Sequence, residues 1–120
     1  MQHLLIIDND MPQNFITILK SENFHLTCAL DGKTGLEKAK EKPIMILLAQ
    51  MLPDISGNEV LKLLKSDDIT KNIPVVILSN LSDQERISEA LALGAIEYII
   101  KYLVSAEDLA KKIRKIIPQE

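Results

Sequence analysis

Length, composition and charge restrict the class of protein before any motif is considered. The chain has 120 residues, of which 47% are hydrophobic and 26% charged, and its net charge is -3. We therefore expect a single folded domain over residues 1–120. Positive and negative side chains are interspersed, which excludes the clustered basic face of a nucleic-acid-binding protein. No apolar run approaches the ~20 residues needed to cross a bilayer, so the sequence predicts a cytoplasmic protein that does not contact membranes.

Five short apolar segments alternate with five segments whose apolar residues recur at helical spacing. The predicted strands are residues 4–7, 24–30, 44–48, 75–78 and 97–100. The predicted helices are residues 12–22, a short one around 36–39, 58–66, 82–91 and 105–117. Strands that alternate with helices imply parallel β-α-β units, so the chain is predicted to be an α/β protein with a doubly wound parallel sheet.

The polarity of each strand indicates its place in this sheet. Segments 44–48 and 75–78 are apolar without alternation, which is typical of central strands that helices cover on both faces. Segment 24–30 alternates in polarity, which is typical of a strand nearer the edge. Its cysteine, Cys28, is the only one in the chain and is predicted to be a buried small hydrophobe.

Helix starts are predicted from serine residues that precede the helical segments. Ser56 with Glu59, and Ser82 with Glu85, match the capping-box pattern ahead of the third and fourth helices. Ser105 is predicted to open the last helix.

Polar side chains follow three of the predicted strands where each strand ends. Ligands of open α/β sheets bind outside the carboxyl ends of the strands, so these side chains are expected to share one site. They are Asp8 and Asn9 after the first strand, Ser79 and Asn80 after the fourth, and Lys101 after the fifth. Carboxylates that face a lysine and a hydroxyl suit Mg²⁺ beside a phosphoryl group. The third strand ends at Ala49, which can neither bind a metal nor accept a phosphoryl group.

The order of these motifs resembles that of the receiver domain of two-component response regulators. The resemblance covers nearly the whole chain and is carried by segments 5–10, 46–57, 74–79 and 94–101. It implies a flavodoxin-like (βα)5 fold with strand order 2-1-3-4-5.

The resemblance also implies roles for individual residues. Asp8 corresponds to an acidic residue that holds Mg²⁺, and Met51 to the position whose backbone carbonyl is a metal ligand. Ser79 corresponds to the hydroxyl that bonds the phosphoryl group in the active state, and Lys101 to the phosphate-binding lysine. Tyr98 corresponds to the aromatic residue that changes rotamer on activation.

Four residues depart from the family pattern. Ala49 occupies the position of the phosphoacceptor aspartate, and Asn9 that of a second acidic metal ligand. Tyr102 replaces the proline that normally follows the lysine, and Asn80 replaces a small residue after the hydroxyl. Because two acidic groups are missing, Mg²⁺ is expected to bind weakly or not at all, and phosphorylation on aspartate at position 49 is not expected.

Tyrosine at position 102 bears on the backbone as well. A cis Lys101–Tyr102 peptide bond would cost roughly 2.5–4 kcal/mol, so a trans bond is predicted. The chain would then enter the last helix by a path different from the family's, a change that can draw the Lys101 ammonium out of the site. Asp10 and Asp54 are interpreted as helix-start and turn residues rather than as substitute acceptors.

These observations predict a receiver-type signalling module that is not an enzyme and acts through protein contacts. The expected partner is a histidine kinase, a phosphotransfer protein or an effector domain. The expected contact surface is formed by the fourth helix, the fifth strand and the fifth helix. A weak, salt-sensitive homodimer could form there through ion pairs across a two-fold axis. The residues expected to pair are Glu89, Glu97, Lys101, Lys111 and Arg114.

Two other functions and two origins stay open at this stage. A flavin- or nucleotide-binding domain of this fold would need a glycine- or hydroxyl-rich phosphate loop where residues 8–12 read Asp-Asn-Asp-Met-Pro. A phosphotransfer enzyme would use Asp8 as nucleophile and Asp10 as general acid. The alanine at the acceptor position arose either by natural divergence or by deliberate replacement, and Asn9 and Tyr102 favour divergence.

Overall fold

A computed structural model describes residues 1–118, in which five strands alternate with five α-helices. The strands are β1 (Gln2–Ile7), β2 (Phe24–Ala29), β3 (Met45–Leu48), β4 (Val75–Ser79) and β5 (Glu97–Ile100). The helices are α1 (Gln13–Ser21), α2 (Gly32–Ala39), α3 (Gly57–Ser66), α4 (Gln84–Ala92) and α5 (Ala106–Ile116), and a short 3-10 turn, Lys101–Leu103, joins β5 to α5. Within residues 1–118, no helix is both long enough and apolar enough to cross a membrane.

All strands are parallel and form one sheet in the order β2-β1-β3-β4-β5. This arrangement confirms the predicted doubly wound, flavodoxin-like fold. The strand order reverses at β1, which has β2 on one side and β3 on the other. Ile7, Leu48 and Ile77 are register partners near the ends of their strands. The residues that follow β1, β3 and β4 therefore emerge at the same edge of the sheet, where such folds bind their ligands.

Alternate side chains of the sheet pack into two apolar cores, one on each face. Leu4 and Ile6 of β1 pack with residues of α1 and α5. Leu5 and Ile7 face the opposite side and pack with residues of α2, α3 and α4. Every residue of β3 and β4 is buried, which confirms that these are central strands covered on both faces.

The prediction that Cys28 is buried is wrong, because its side chain is exposed. It lies on β2, which is an edge strand with a neighbour on one side only. Burial falls along this face of the strand, from Phe24, which is buried, through Leu26, which is half-buried, to Cys28. The alternating polarity of β2 therefore predicted the strand correctly but not how far the helices cover it.

Two of the three predicted helix starts are confirmed. The Ser56 hydroxyl accepts a hydrogen bond from the Glu59 N–H at 3.1 Å, and the Ser105 hydroxyl accepts one from the Asp108 N–H at 3.0 Å. The capping residue of α4 is not Ser82 but Asp83, whose carboxylate accepts from the third helical N–H. The capping position lies one residue later than predicted, so the side chain next to the first turn is that of Asp83.

The Lys101–Tyr102 peptide bond is trans, as predicted, and residues 1–118 contain no cis bond. The turn that follows nevertheless leaves the Lys101 side chain at the carboxyl edge of the sheet, where Nζ lies 2.7 Å from Oδ2 of Asp8. Withdrawal of the ammonium from the site does not occur, because the ion pair with Asp8 holds it there.

Candidate functional site

A cavity of about 590 Å³ opens at the carboxyl edge of the sheet. Its walls come from the segments that follow β1, β3, β4 and β5. The lining residues are Asp8, Asn9, Asp10, Ala49, Met51, Leu52, Pro53, Ser79, Asn80, Leu81 and Lys101. The structure thus brings together every residue predicted from the strand ends. Tyr98, the remaining predicted residue, lies on β5 outside this lining.

Lys101 and Asp8 form a buried ion pair in the cavity. Their side chains are 11% and 5% exposed, and Nζ lies 2.7 Å from Oδ2. The ammonium also donates to the backbone oxygen of Asp10 at 3.2 Å. The other carboxylate oxygen of Asp8, Oδ1, accepts from the Asp10 N–H at 2.9 Å. Both carboxylate oxygens of Asp8 therefore accept hydrogen bonds from the chain itself.

Ala49 contributes only a methyl group to the cavity and is 5% exposed. The backbone beside it is tightly packed against the start of α3. A Cβ atom at Gly57 would lie 2.2 Å from the carbonyl oxygen of Ala49, so only glycine fits there. The Gly57 N–H donates to the carbonyl oxygen of Gln50 at 2.8 Å. This contact fixes the backbone that leaves β3 and hence the position of residue 49.

Ser79 and Tyr98 meet through the loop that follows β4. The Ser79 hydroxyl, 5% exposed, accepts from the Leu81 N–H at 3.2 Å. The Tyr98 hydroxyl donates to the carbonyl oxygen of Leu81 at 2.7 Å. Burial raises the pKa of Tyr98 above its ordinary 10.0, and the polar side chains of Gln50 and Ser79 oppose this rise. The phenol group is therefore tied to Leu81, which lines the cavity.

The residues at the cavity do not fit a Mg²⁺ ion well as they are arranged. Mg²⁺ demands oxygen ligands in near-octahedral geometry and is held through carboxylates. Asp8 has the one buried carboxylate among the residues that the structure describes, and this carboxylate is already paired with the Lys101 ammonium. Position 9 is an amide. Within residues 1–118, no group of three or more His, Cys, Asp or Glu side chains could hold a metal ion.

Gln50 and Asn58 are buried polar residues that the sequence interpretation missed. They are 3% and 6% exposed. Gln50 Nε2 donates to Asn58 Oδ1 at 2.8 Å, and the Asn58 N–H donates back to Gln50 Oε1 at 3.0 Å. The only sequence signal was an amide directly after an apolar strand, where the resemblance assigned no role to it.

Two of the residues that depart from the family pattern contact each other. The backbone N–H of Tyr102 donates to Oδ1 of Asn80 at 2.9 Å. A proline at position 102 has no N–H and could not make this bond. The two departures are therefore coupled physically, and together they join the loop after β4 to the turn after β5.

Asp54 is more than the turn residue that was predicted. Its carboxylate accepts from the backbone N–H groups of Gly32 at 2.8 Å and Lys33 at 2.9 Å, at the start of α2. The hydrogen bond from Gly32 is the largest cause that lowers the Asp54 pKa to about 2. The loop between β3 and α3, which lines the cavity, is thereby tied to α2.

Four of the five residues expected to pair in a homodimer are engaged within the chain. The contacts are Lys101 with Asp8, Glu89 with Asn58, Glu97 with Lys112 and Arg114 with Glu22. Lys101 also lies in the cavity rather than on the expected contact surface. Ion pairs across a two-fold axis would therefore require these side chains to exchange partners.

Comparison with known proteins identifies the class to which this fold and cavity belong. The family model of the response regulator receiver domain matches residues 3–114. The chain therefore belongs to the response regulator receiver domain family, which is a signalling family of two-component systems. This result confirms the family resemblance and does not favour the alternative of a flavin- or nucleotide-binding domain.

Relatives and solved structures agree with this assignment. The two-component response regulator ORR11 of Oryza sativa subsp. indica is 32% identical over 120 residues, covering 97% of this chain and 81% of its own length. Response regulator ArlR of Staphylococcus saprophyticus is 33% identical, covering 98% of this chain and 52% of its own length. The CheY-like receiver domain protein of Methanospirillum hungatei JF-1 has a TM-score of 0.85 at 26% identity, covering 96% of this chain and 92% of that one. Chemotaxis protein CheY4 of Vibrio cholerae has the same fold, with a TM-score of 0.87 at 23% identity over 98% and 99% of the two chains.

Proposed function

We propose that this chain is a receiver-type signalling module that is not phosphorylated at position 49 and acts through contacts with other proteins. The observation that carries this proposal is the methyl group of Ala49 at the cavity, where the resemblance expects an aspartate. A methyl group has no oxygen with which to attack a phosphoryl donor. The cation of the cavity, Lys101, is neutralised by Asp8 instead of facing a second carboxylate.

We propose further that Mg²⁺ binds weakly or not at all and that the domain has no catalytic activity of its own. Asp8, Asn9 and the carbonyl of Met51 would be the ligands, and a cation would have to compete with the Lys101 ammonium for Asp8. We place the domain in the cytoplasm, as expected from its sequence, and treat residues 1–120 as one domain.

The partners proposed are proteins of the same signalling systems: a histidine kinase, a phosphotransfer protein or an effector domain. Receiver-like segments occur within two larger relatives, a hybrid histidine kinase and a probable cyclic di-GMP phosphodiesterase. Hybrid signal transduction histidine kinase D of Dictyostelium discoideum is 32% identical to this chain over a segment that makes up 7% of its length. A probable cyclic di-GMP phosphodiesterase of Vibrio cholerae is 34% identical to this chain over a segment that makes up 23% of its length. Contact between a receiver and a second domain is therefore the mode of action we propose.

The contact surface proposed is the face formed by α4, β5 and α5. A groove of about 450 Å³ lies between β5 and α5, and Leu103, Lys111 and Lys115 are among its lining residues. Leu103 is 73% exposed, and the neighbouring Tyr102 is 66% exposed. Exposed apolar side chains next to charged ones are typical of protein contact sites. A homodimer on this face would be weak, since exposed ion pairs contribute at most about 1 kcal/mol each.

Incubation with acetyl phosphate and Mg²⁺, followed by intact mass measurement, tests the proposal. The unmodified protein should keep its mass, because position 49 has no nucleophile. Ala49→Asp restores the acceptor and should gain one phosphoryl group slowly, since neutral Asn9 holds Mg²⁺ poorly. Adding Asn9→Asp should raise metal affinity and phosphorylation rate together.

Ala49→Asn is the matched control, because asparagine has nearly the size of aspartate but no nucleophilic oxygen, and it should stay unmodified. A phosphoryl adduct on the unmodified protein would overturn the proposal. If that adduct is stable in acid and disappears with Ser79→Ala, the hydroxyl at position 79 has replaced the carboxylate as acceptor.

A further inference from the structure

Helix α4 is attached to the domain with little apolar burial. Ala90 is its one buried residue, whereas α3 buries five residues and α5 buries four. Hydrophobic stabilisation scales with the apolar area removed from water, so a single buried methyl group contributes little to the docking of a helix. We therefore expect the position of α4 to depend also on contacts of another kind.

These contacts are hydrogen bonds from Asn58, near the start of α3. Its Nδ2 donates to Oε1 of Glu89 at 2.7 Å and to the carbonyl oxygen of Arg86 at 3.3 Å, both on α4. The Asn58 amide is oriented by Gln50, with which it exchanges two further bonds. Gln50 directly follows Ala49, so one buried chain of amides connects the base of the cavity to α4.

The loop before α4 is held in the same way. Oδ1 of Asn80 accepts from the Tyr102 N–H at 2.9 Å, and the carbonyl oxygen of Leu81 accepts from the Tyr98 hydroxyl at 2.7 Å. Residues 80–92, called here the α4 segment, therefore accept hydrogen bonds from fixed parts of the domain at four points. The acceptors are residues Asn80, Leu81, Arg86 and Glu89.

We infer that this set of hydrogen bonds fixes the α4 segment against the domain, so that the position of the surface it shares with β5 and α5 depends on the buried amides of Gln50 and Asn58. The physical reason is that buried amides left without partners are costly, so the segment cannot move away from Asn58 freely. The inference rests on the proposed function in one respect only: it takes this surface as the one that contacts partners.

Amide hydrogen exchange of Asn58→Ala tests the inference. The substitution removes both bonds to α4 and the bond from Gln50 Nε2, and it leaves the apolar side chains of the core in place. Exchange within Gln84–Ala92 should become about tenfold faster, the change expected for the loss of one or two buried hydrogen bonds. Exchange within α5 should change far less. Acceleration of both helices together would report a loss of overall stability and would overturn the inference.

Two further variants keep the test independent of the folding of Asn58→Ala. Glu89 is exposed, so Glu89→Ala should fold and show a smaller selective acceleration, whereas Glu89→Gln keeps an oxygen acceptor and should restore slow exchange. Thr70→Val removes another buried bond, from Thr70 Oγ1 to the carbonyl oxygen of Leu64 at the far end of α3. It should show no selective effect on α4, and equal acceleration of α4 in Thr70→Val would contradict the inference.

The Tyr98 phenol provides a second readout, because its hydroxyl donates to the carbonyl oxygen of Leu81 in the α4 segment. In a Tyr102→Phe background, Tyr98 is the only tyrosine, and its titration can be followed by the absorbance of the tyrosinate ion. Asn58→Ala should bring the Tyr98 pKa down towards 10.0, because release of the α4 segment, to which Leu81 belongs, exposes the ring whose burial raises this pKa. An unchanged pKa would show that the ring stays buried without the Asn58 bonds, which would overturn this part of the inference. None of these measurements uses a phosphodonor or a partner, so their failure is distinguishable from failure of the proposed function.

Discussion

Helices α5 and α4 flank β5 and lie on opposite faces of the sheet, and they are attached by different kinds of contact. Helix α5 inserts Leu109 and Ile113, both 0% exposed, into the core that it shares with α1. Helix α4 buries only Ala90 completely and accepts two hydrogen bonds from Asn58. An apolar contact tolerates small displacements, whereas a hydrogen bond is lost when its geometry changes. One side of the proposed contact surface is therefore fixed by the core and the other by a few directional bonds.

Removal of a core side chain from α5 should have the largest effect on stability. Ile113→Ala should lower the free energy of unfolding by about 3–4 kcal/mol, within the range of roughly 2–5 kcal/mol for such truncations. Leu91→Ala is the matched substitution on α4, where the side chain is 48% exposed, and it should change this free energy by no more than about 0.5 kcal/mol. Urea unfolding measures both values. Equal losses in the two variants would show that α4 is also held by apolar packing.

The same contrast between buried and exposed contacts applies to two ion pairs near α5. Lys101–Asp8 and Lys112–Glu97 have nearly equal lengths, 2.7 and 2.8 Å, but their side chains are 11%/5% and 44%/38% exposed. Lys101→Met leaves a buried carboxylate without its cation and should cost roughly 2–3 kcal/mol, below the ~3–5 kcal/mol of a fully enclosed pair because the cavity is open to water.

Lys112→Met is the control and should cost less than about 1 kcal/mol, because water screens the exposed pair. Both values can be obtained from urea unfolding at the same ionic strength. If Lys101→Met is as stable as the unmodified protein, the carboxylate of Asp8 is solvated better than its burial indicates. The effects of Asp8→Asn and Lys101→Met on the free energy of unfolding should then add in the double variant, without coupling.

The fold could be predicted from the sequence because its main determinants are local and periodic. The apolar runs of β3 and β4 and the helical spacing in α5 required no knowledge of tertiary contacts. Residues at the carboxyl ends of strands could be placed at one site because parallel strands bring those ends together. The strand order was predicted from the family resemblance alone, and the structure and the comparisons confirm it.

The contacts that the sequence did not predict all depend on distant parts of the chain. The sequence does not show that Gln50 bonds to Asn58. The two side chains meet because Gly57 lets the start of α3 approach the end of β3 closely. Asp54 caps a helix 21 or 22 residues earlier, which no local pattern encodes. Cys28 is exposed because β2 is an edge strand, and burial falls along the face that carries Phe24, Leu26 and Cys28. Tertiary geometry, rather than local propensity, decides each of these cases.

The smallest effect we predict concerns the residues that cap the two helices. Asp83 caps α4, and Ser105 caps α5. The pKa of Asp83 lies below its ordinary 3.8, chiefly because its carboxylate accepts a hydrogen bond from the Arg86 side chain. The hydroxyl of Ser105 does not titrate in acid. The first turn of α4 should therefore depend on pH in a range where the cap of α5 does not.

The direction of this dependence follows from proton binding. Because the pKa of Asp83 is lower in the folded than in the unfolded chain, its stabilisation is fully present above pH 3.8 and is lost as the pH falls through the lowered value. Amide exchange compared between about pH 6 and about pH 3, corrected for the intrinsic pH dependence of exchange, should accelerate more in α4 than in α5. Asp83→Ser replaces the carboxylate by a cap that does not titrate and should abolish the part of the acceleration due to Asp83. If acid loosens α4 as strongly in Asp83→Ser, the pH-sensitive contact lies elsewhere on the segment, and the bond between Asn58 and Glu89 becomes the next to examine.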